Sequence, residues 1–200
     1  MNFSRSLAFT AALVAVFFGA FSASASAATA RITHLPFETL ETLLGQPGES
    51  MDAFVVRIGP DLRKFADKTG FEACGLIARA ADGTFGVVLT SSRSHVGCVV
   101  QTASLPAGMV ATDQTIHCHG TDGRRSSMNR ADRALLGVSD SESGLGFVPT
   151  QNLSHFSPTD YAGGAGFLAT PTGVLHQDGT PGSEREVQPT RTVVAVAPAE

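Results

Sequence analysis

The chain has 200 residues, of which 42% are hydrophobic and 16% are charged, and its formal net charge is −4. This length suits one domain with a short appendage, and the balance excludes a disordered chain and a coiled coil, both of which carry many more charges. A net negative chain offers no basic field to attract nucleic acid or an anionic membrane, and three cysteines are too few for a disulfide-dense scaffold.

Residues 1–30 have the three parts of a secretory signal peptide. Arg5 supplies a short positive region, residues 7–21 are uncharged and mostly apolar, and residues 22–30 are small with several A-x-A matches. The apolar run is shorter than the roughly 20 residues that span a bilayer, and a retained N-terminal anchor is the alternative interpretation. We therefore expect a periplasmic or secreted product that has no membrane association after cleavage and in which a disulfide can form.

The first part of the expected mature chain combines an arm with a helix. Residues 31–49 predict an N-terminal arm with at most a helical turn, because its few apolar residues end in a stretch with two glycines and a proline. After Ser50, apolar residues recur at the i, i+3, i+4 and i+7 spacing of one helix face. This predicts a helix that begins after Ser50, ends at Gly70 and is kinked or split at Pro60.

The remainder predicts mostly antiparallel strands with interspersed short helices, which favours a single α/β or α+β domain. Asp82-Gly83 between two apolar runs indicates a hairpin. A polar stretch rich in glycine and serine over residues 120–156 separates the later elements, and residues 179–200 form a C-terminal tail. The predicted strands cover residues 73–80, 84–90, 114–119, 165–170, 173–177 and 192–196, and the predicted helices cover residues 127–136 and 157–164.

The sharpest local feature is the segment His117-Cys118-His119 in a predicted strand. Residues i and i+2 of a strand project from the same face, so the two imidazoles lie together and Cys118 points the other way. Neutral histidine is a common zinc ligand, and a catalytic zinc ion usually takes three protein ligands, so this pair needs a third. Two surface histidines are the alternative interpretation, because the H-x-H pattern alone is weakly specific.

Two acidic residues are candidates to complete such a site. Asp160 is the candidate third ligand, although Ser157-Pro158 before it also predicts a helix start in which Ser157 and Asp160 are simply capping residues. Glu72 stands at the entry to an apolar strand. It is either solvated there or lies at the rim of a site, where it accepts a proton from an activated water.

Together these residues resemble the JAMM (MPN-plus) family of zinc metalloproteases, whose pattern is Glu, then H-x-H, then S-x-x-D. The resemblance covers residues 50–178 and implies a mixed sheet flanked by helices, similar to the cytidine-deaminase architecture. It also implies the role of each residue. His117, His119 and Asp160 would hold Zn²⁺, Glu72 would be the general base and Ser157 would help to stabilise the oxyanion.

The chain departs from the family at the spacing between its two motifs. The insertion over residues 120–156 is far longer than the family spacer, and Gly120 stands where a proline commonly follows the second histidine. We consider two interpretations of the insertion. Either it is a lid or recognition flap beside the active site, or it is a tolerated surface loop.

The resemblance implies hydrolysis of a peptide or isopeptide bond in a peptide, a protein or a peptidoglycan stem peptide. The long spacing motivates an alternative, a catalytically inactive binding or scaffold module, and a secreted effector is a further alternative. A zinc deaminase is disfavoured, because that chemistry uses H-x-E with C-x-x-C and the chain has no C-x-x-C. Of the three cysteines, Cys98 and Cys118 are the preferred disulfide pair, behind the strand that carries the histidines, with Cys74 as the alternative partner.

Overall fold

A computed structural model describes residues 35–120, 127–139, 147–148 and 151–188. The described chain forms one mixed seven-stranded sheet with three helices, an α+β fold that confirms the predicted mixed sheet with helices. The predicted signal peptide and the predicted strand over 192–196 lie outside the described residues. In chain order the elements are β1 (Glu38–Leu44), α1 (Met51–Thr69), β2 (Ala73–Arg79), β3 (Phe85–Ser91), β4 (Val110–Cys118), α2 (Arg130–Leu136), α3 (Pro158–Ala162), β5 (Gly166–Thr170), β6 (Gly173–Gln177) and β7 (Arg185–Glu186).

The strands are ordered β1-β3-β2-β4-β5-β6-β7 across the sheet. Strands β4 and β5 run parallel, and the other neighbouring strands run antiparallel. The sheet therefore extends beyond residues 50–178 at both ends, through β1 and β7. Among the described helices, none is long and apolar enough to cross a membrane.

Strand β1 replaces the arm that we predicted for residues 31–49. It pairs antiparallel with β3, and the pairing register shifts between Thr39 and Glu41. Because of this shift, Leu40 and Leu43 both pack against the core although they are three residues apart. The irregularity breaks the strict alternation by which a strand is recognised in a sequence, which explains why the prediction of an arm was wrong.

Helix α1 has the predicted ends and buries one face against the sheet. The Ser50 hydroxyl accepts a hydrogen bond from the Ala53 amide, and Gly70 ends the helix in the left-handed region with φ 81°. The helix is continuous from Met51 to Thr69, so the predicted split at Pro60 was wrong. Pro60 is exposed and its ring therefore displaces no core residue, while the buried face on both sides of it keeps the two halves packed as one helix.

The core lies between α1 and one face of the sheet. Phe54, Ile58 and Leu62 of α1 are fully buried against core residues from β2 to β6, among them Ile116 and Cys118 of β4. Since successive residues of a strand face opposite ways, the residue between Ile116 and Cys118 projects from the other face of the sheet. That face is the one on which the candidate site is built.

The disulfide joins Cys74 to Cys98, with 5.8 Å between their Cα atoms, so the preferred pairing of Cys98 with Cys118 was wrong. Cys74 is the cross-strand partner of His117 and shares its face, and the segment between β3 and β4 brings Cys98 to that same face. Cys118 points into the core on the opposite face, where its thiol lies 3.4 Å from the Leu62 carbonyl oxygen. Burial raises the pKa of this free thiol to about 12.

Candidate metal centre

The two histidines stand at the carboxyl end of β4, the central strand between β2 and β5. His117 lies within the ladder, and His119 follows directly after the strand ends. The backbone at His119 is held from the helix side of the sheet, because the buried Arg63 of α1 donates from Nη1 to the His119 carbonyl oxygen at 2.7 Å. Strand pairing and this bond together position both imidazoles on one face, as the H-x-H spacing predicted.

Asp160 faces both imidazoles from the first turn of α3. Its Oδ1 lies 3.3 Å from His117 Nε2, and its Oδ2 lies 3.2 Å from His119 Nε2. One ligand atom from each of the three residues lies within 4.8 Å of the others, so the group could hold a metal ion. The three residues come together although residues 120–156 separate the second histidine from Ser157.

The helix cap that we considered as an alternative also forms. The Ser157 hydroxyl accepts from the Asp160 amide at 3.3 Å, and Asp160 Oδ2 accepts from the Ser157 amide at 2.6 Å. A carboxylate has about four acceptor sites, so one bond to the cap leaves others free to face a metal. Capping and metal coordination by Asp160 are therefore compatible.

The orientation of the His119 ring follows from its contact with Asn152. Its Nδ1 lies 2.7 Å from the Asn152 carbonyl oxygen, which can only accept, so Nδ1 carries a proton and Nε2 is the nitrogen that could bind a metal. His117 Nε2 is buried, and it faces Asp160 Oδ1 at 3.3 Å without a well-aligned hydrogen bond. Coordination of a metal would satisfy this nitrogen better than that contact does. Two imidazole nitrogens and one carboxylate thus fit a divalent transition metal.

Electrostatics keep the aspartate ionised. Burial alone would raise the pKa of Asp160, but its contacts with His117 and His119 outweigh burial and hold that pKa far below its ordinary range. Burial lowers the pKa of His119, yet Asp160 and Glu72 outweigh it, so the net shift is upward. Asp160 thus favours a proton on His119, and a metal ion bound at the same place would compete with that proton.

Glu72 enters the same region at the start of β2 and is only 3% exposed. Its backbone amide donates to the Ser94 carbonyl oxygen at 2.8 Å, and its Oε1 accepts from Gln151 Nε2 at 2.6 Å. Burial raises the pKa of Glu72 to about 7, against the opposing effects of His119 and Gln151. A buried carboxyl with a pKa near neutrality is suited to accept and return a proton.

A cleft of about 380 Å³ joins these groups, and all five residues predicted from the sequence line it. Its wall includes the Cys74–Cys98 disulfide and the aliphatic side chains of Val96 and Val100. Gln151 also lines the cleft and was missed by the sequence analysis. The predicted site residues in the lining are Glu72, His117, His119, Ser157 and Asp160.

The insertion contributes directly to the site through two of its last residues. Gln151 contacts Glu72, and the Asn152 carbonyl oxygen contacts His119. Earlier in the insertion, the fully buried Asp132 accepts from Ser94 Oγ and from the His95 amide, both at 2.7 Å. No local motif links these residues to the site, because each reaches it through a partner at least 30 positions away.

Comparison with known proteins provides no family to which this site could be assigned. The chain matches no family profile, no curated protein and no solved structure. The function is therefore argued from the geometry of the cleft.

Proposed function

We propose that this protein is a zinc-dependent hydrolase that cleaves a peptide or isopeptide bond and has a JAMM-like domain. One observation carries the proposal. His117, His119 and Asp160 gather their ligand atoms within 4.8 Å, and the buried carboxyl of Glu72 lines the same cleft.

The donor set favours zinc with a catalytic role. Three protein ligands leave one position open, which is the arrangement of catalytic zinc sites, whereas structural zinc sites are closed by four. Bound zinc lowers the pKa of a water and polarises a carbonyl oxygen. The remaining chemistry belongs to the side chains of the chain itself.

Glu72 acts as the general base in this proposal. It accepts a proton from the attacking water and returns it to the leaving amine, so the same carboxyl serves both halves of the hydrolysis. Ser157 lines the cleft, and its hydroxyl would stabilise the negative charge that develops on the carbonyl oxygen.

The substrate class follows from the reaction and from the proposed location. The signal peptide that the sequence predicts would direct the chain to the periplasm or outside the cell, where proteins, peptides and peptidoglycan stem peptides offer amide bonds. We propose one of these as the substrate and expect neither nucleic acid nor a membrane as a partner.

The ligand assignment is tested by measuring metal content. The purified chain is equilibrated with Zn²⁺, dialysed and analysed by mass spectrometry of the metal, for wild type, His117→Ala and Asp160→Asn. The asparagine keeps an oxygen for the Ser157 amide, so the helix cap survives while the ligand charge is lost. Wild type should retain one zinc ion and both variants much less. His176→Ala is the matched control, because His176 bonds Gln114 outside the cluster.

The reaction is tested with a proteome-derived peptide library, in which new amino termini are identified by mass spectrometry. Wild type should generate them and Glu72→Gln should generate about 100-fold fewer.

Two outcomes would contradict the proposal. In the metal-content experiment, zinc retained equally by Asp160→Asn would show that the ligand assignment is wrong. Zinc binding without any Glu72-dependent cleavage would favour the inactive binding module.

A further inference from the structure

We propose that Gln151 is a positioning residue that determines which oxygen of Glu72 takes the proton. It holds Oε1 of the Glu72 carboxylate and leaves Oε2 as the base. This inference rests on the proposed function, in which Glu72 accepts a proton from the attacking water.

The orientation of the Gln151 amide follows from its two contacts. The Gly120 backbone N–H donates to Gln151 Oε1 at 3.0 Å, and a backbone N–H can only donate. The amide oxygen of Gln151 therefore faces Gly120, which turns Nε2 towards Glu72. That nitrogen lies 2.6 Å from Glu72 Oε1 and can only donate. A reversed amide would place two donors together at Gly120 and two acceptors together at Glu72.

The consequence for Glu72 is an asymmetric carboxylate. Because Oε1 already accepts a bond from Gln151, a proton on Oε1 would compete with that bond, whereas Oε2 accepts none from Gln151. The proton of the attacking water therefore moves to Oε2, where the O–H bond of water breaks as the new O–H bond forms. In the second half of the reaction, that same proton passes from Oε2 to the leaving amine.

The backbone that orients Gln151 is itself fixed. Gly120 is buried, and a Cβ at this position would lie 2.6 Å from the Gly70 carbonyl oxygen and 3.0 Å from that of His95. The chain thus packs tightly at the residue that follows the metal ligand His119. This packing aims the Gly120 N–H at Gln151, so the base and the second histidine are joined through one short chain of contacts.

Asn152, the residue after Gln151, also contacts the candidate site. The Asn152 carbonyl oxygen accepts a hydrogen bond from His119 Nδ1, while Gln151 Nε2 donates to Glu72. Gln151 and Asn152 therefore orient, respectively, the proposed base Glu72 and the candidate metal ligand His119. Residues 151 and 152, near the end of the insertion, therefore contribute to the proposed active site.

The contact is tested on the metal-free full chain by nuclear magnetic resonance, which needs no substrate. The side-chain amide resonance of Gln151 is assigned by its loss in Gln151→Leu. It should lie downfield of other glutamine side chains and move upfield in Glu72→Gln, where the acceptor is uncharged. The control variant Gln101→Leu, whose amide bonds the Val99 carbonyl oxygen, should leave it in place. A resonance that does not respond to Glu72→Gln overturns the proposal.

The role is tested with the zinc-loaded protein and a synthetic copy of the library peptide that wild type cleaves fastest. Gln151→Leu should lower kcat about 10- to 100-fold while KM and zinc affinity stay within about threefold of wild type. Gln151→Met, which keeps the length of the side chain, serves if the leucine variant folds poorly. An unchanged kcat would overturn the role of Gln151 and leave the proposed function intact. A wild type that cleaves no peptide overturns the proposed function, and the role falls with it.

Discussion

Asp160 shows how one carboxylate can serve both the fold and a metal centre. Its position is set by the cap of a five-residue helix that has little stability of its own. The histidines oppose it from a central strand, where ladder bonds on both sides hold the backbone. The two imidazoles thus meet a carboxylate whose orientation depends on a local cap, so Ser157 supports the candidate site by positioning Asp160.

Glu72 leads to a prediction about stability and pH. Its pKa is about 7 in the folded chain, against an ordinary value of 4.5, because of burial. The folded state therefore binds more protons than the unfolded state between these values, and the free energy of unfolding falls as the pH rises through that window. The stabilisation is fully present below pH 4.5.

Replacing Glu72 by glutamine removes this dependence. In metal-free protein we expect Glu72→Gln to unfold at the same temperature as wild type near pH 4.5 and at a higher temperature at pH 8. The gain at pH 8 should be on the order of 3 kcal/mol, since each pKa unit corresponds to about 1.4 kcal/mol. Thermal unfolding followed by circular dichroism measures this. A glutamine variant less stable than wild type at pH 8 would contradict the assignment.

Among the elements, the segment between β3 and β4 depends on a covalent tether. The Cys74–Cys98 disulfide attaches it to β2, and Val96 and Val100 beside the disulfide line the cleft. The disulfide thus tethers a part of the cleft wall beside the candidate metal ligands.

Loss of this tether should lower stability and loosen the cleft wall. For residues 24 positions apart, we expect Cys98→Ala to cost roughly 3 kcal/mol and to abolish the effect of a reducing agent on the unfolding temperature. Cys118→Ala should remain sensitive to the reductant, although it creates a small core cavity. Loss of this sensitivity in Cys118→Ala would contradict the Cys74–Cys98 pairing.

At the scale of the whole molecule, the sequence predicted what local signals control. The β2–β3 hairpin follows from its Asp82-Gly83 turn, and the ends of α1 follow from Ser50 and Gly70. The three metal-ligand candidates were found because the spacing within each motif, H-x-H and S-x-x-D, matches a known pattern, although the spacing between the motifs does not. Strand β1, the disulfide pairing and Gln151 were not predictable, since a register shift, the path of an irregular segment and a contact across the fold leave no local signal.

Zinc should stabilise the whole chain, because its ligands belong to elements far apart in sequence. A ligand that binds only the folded state, present at a concentration of 100 times its dissociation constant, raises the free energy of unfolding by about 3 kcal/mol. For a chain of this size this corresponds to an increase in Tm of roughly 5–10 °C. Differential scanning fluorimetry with Zn²⁺ and with a chelator measures this. His117→Ala should show no increase and His176→Ala the full increase. An equal increase in His117→Ala would place the ion elsewhere.

Among the described strands, β4 and β5 are the one parallel pair, and this has a consequence for the order of folding. Parallel strands need a crossover connection, and here residues 119–165 form it and include His119, Gln151 and Asp160. Closing so long a connection costs entropy before its contacts form, so the β2–β3 hairpin should fold early and the metal centre late. Contacts absent from the transition state slow unfolding and leave folding unchanged. Bound zinc should therefore act mainly by prolonging the lifetime of the native state.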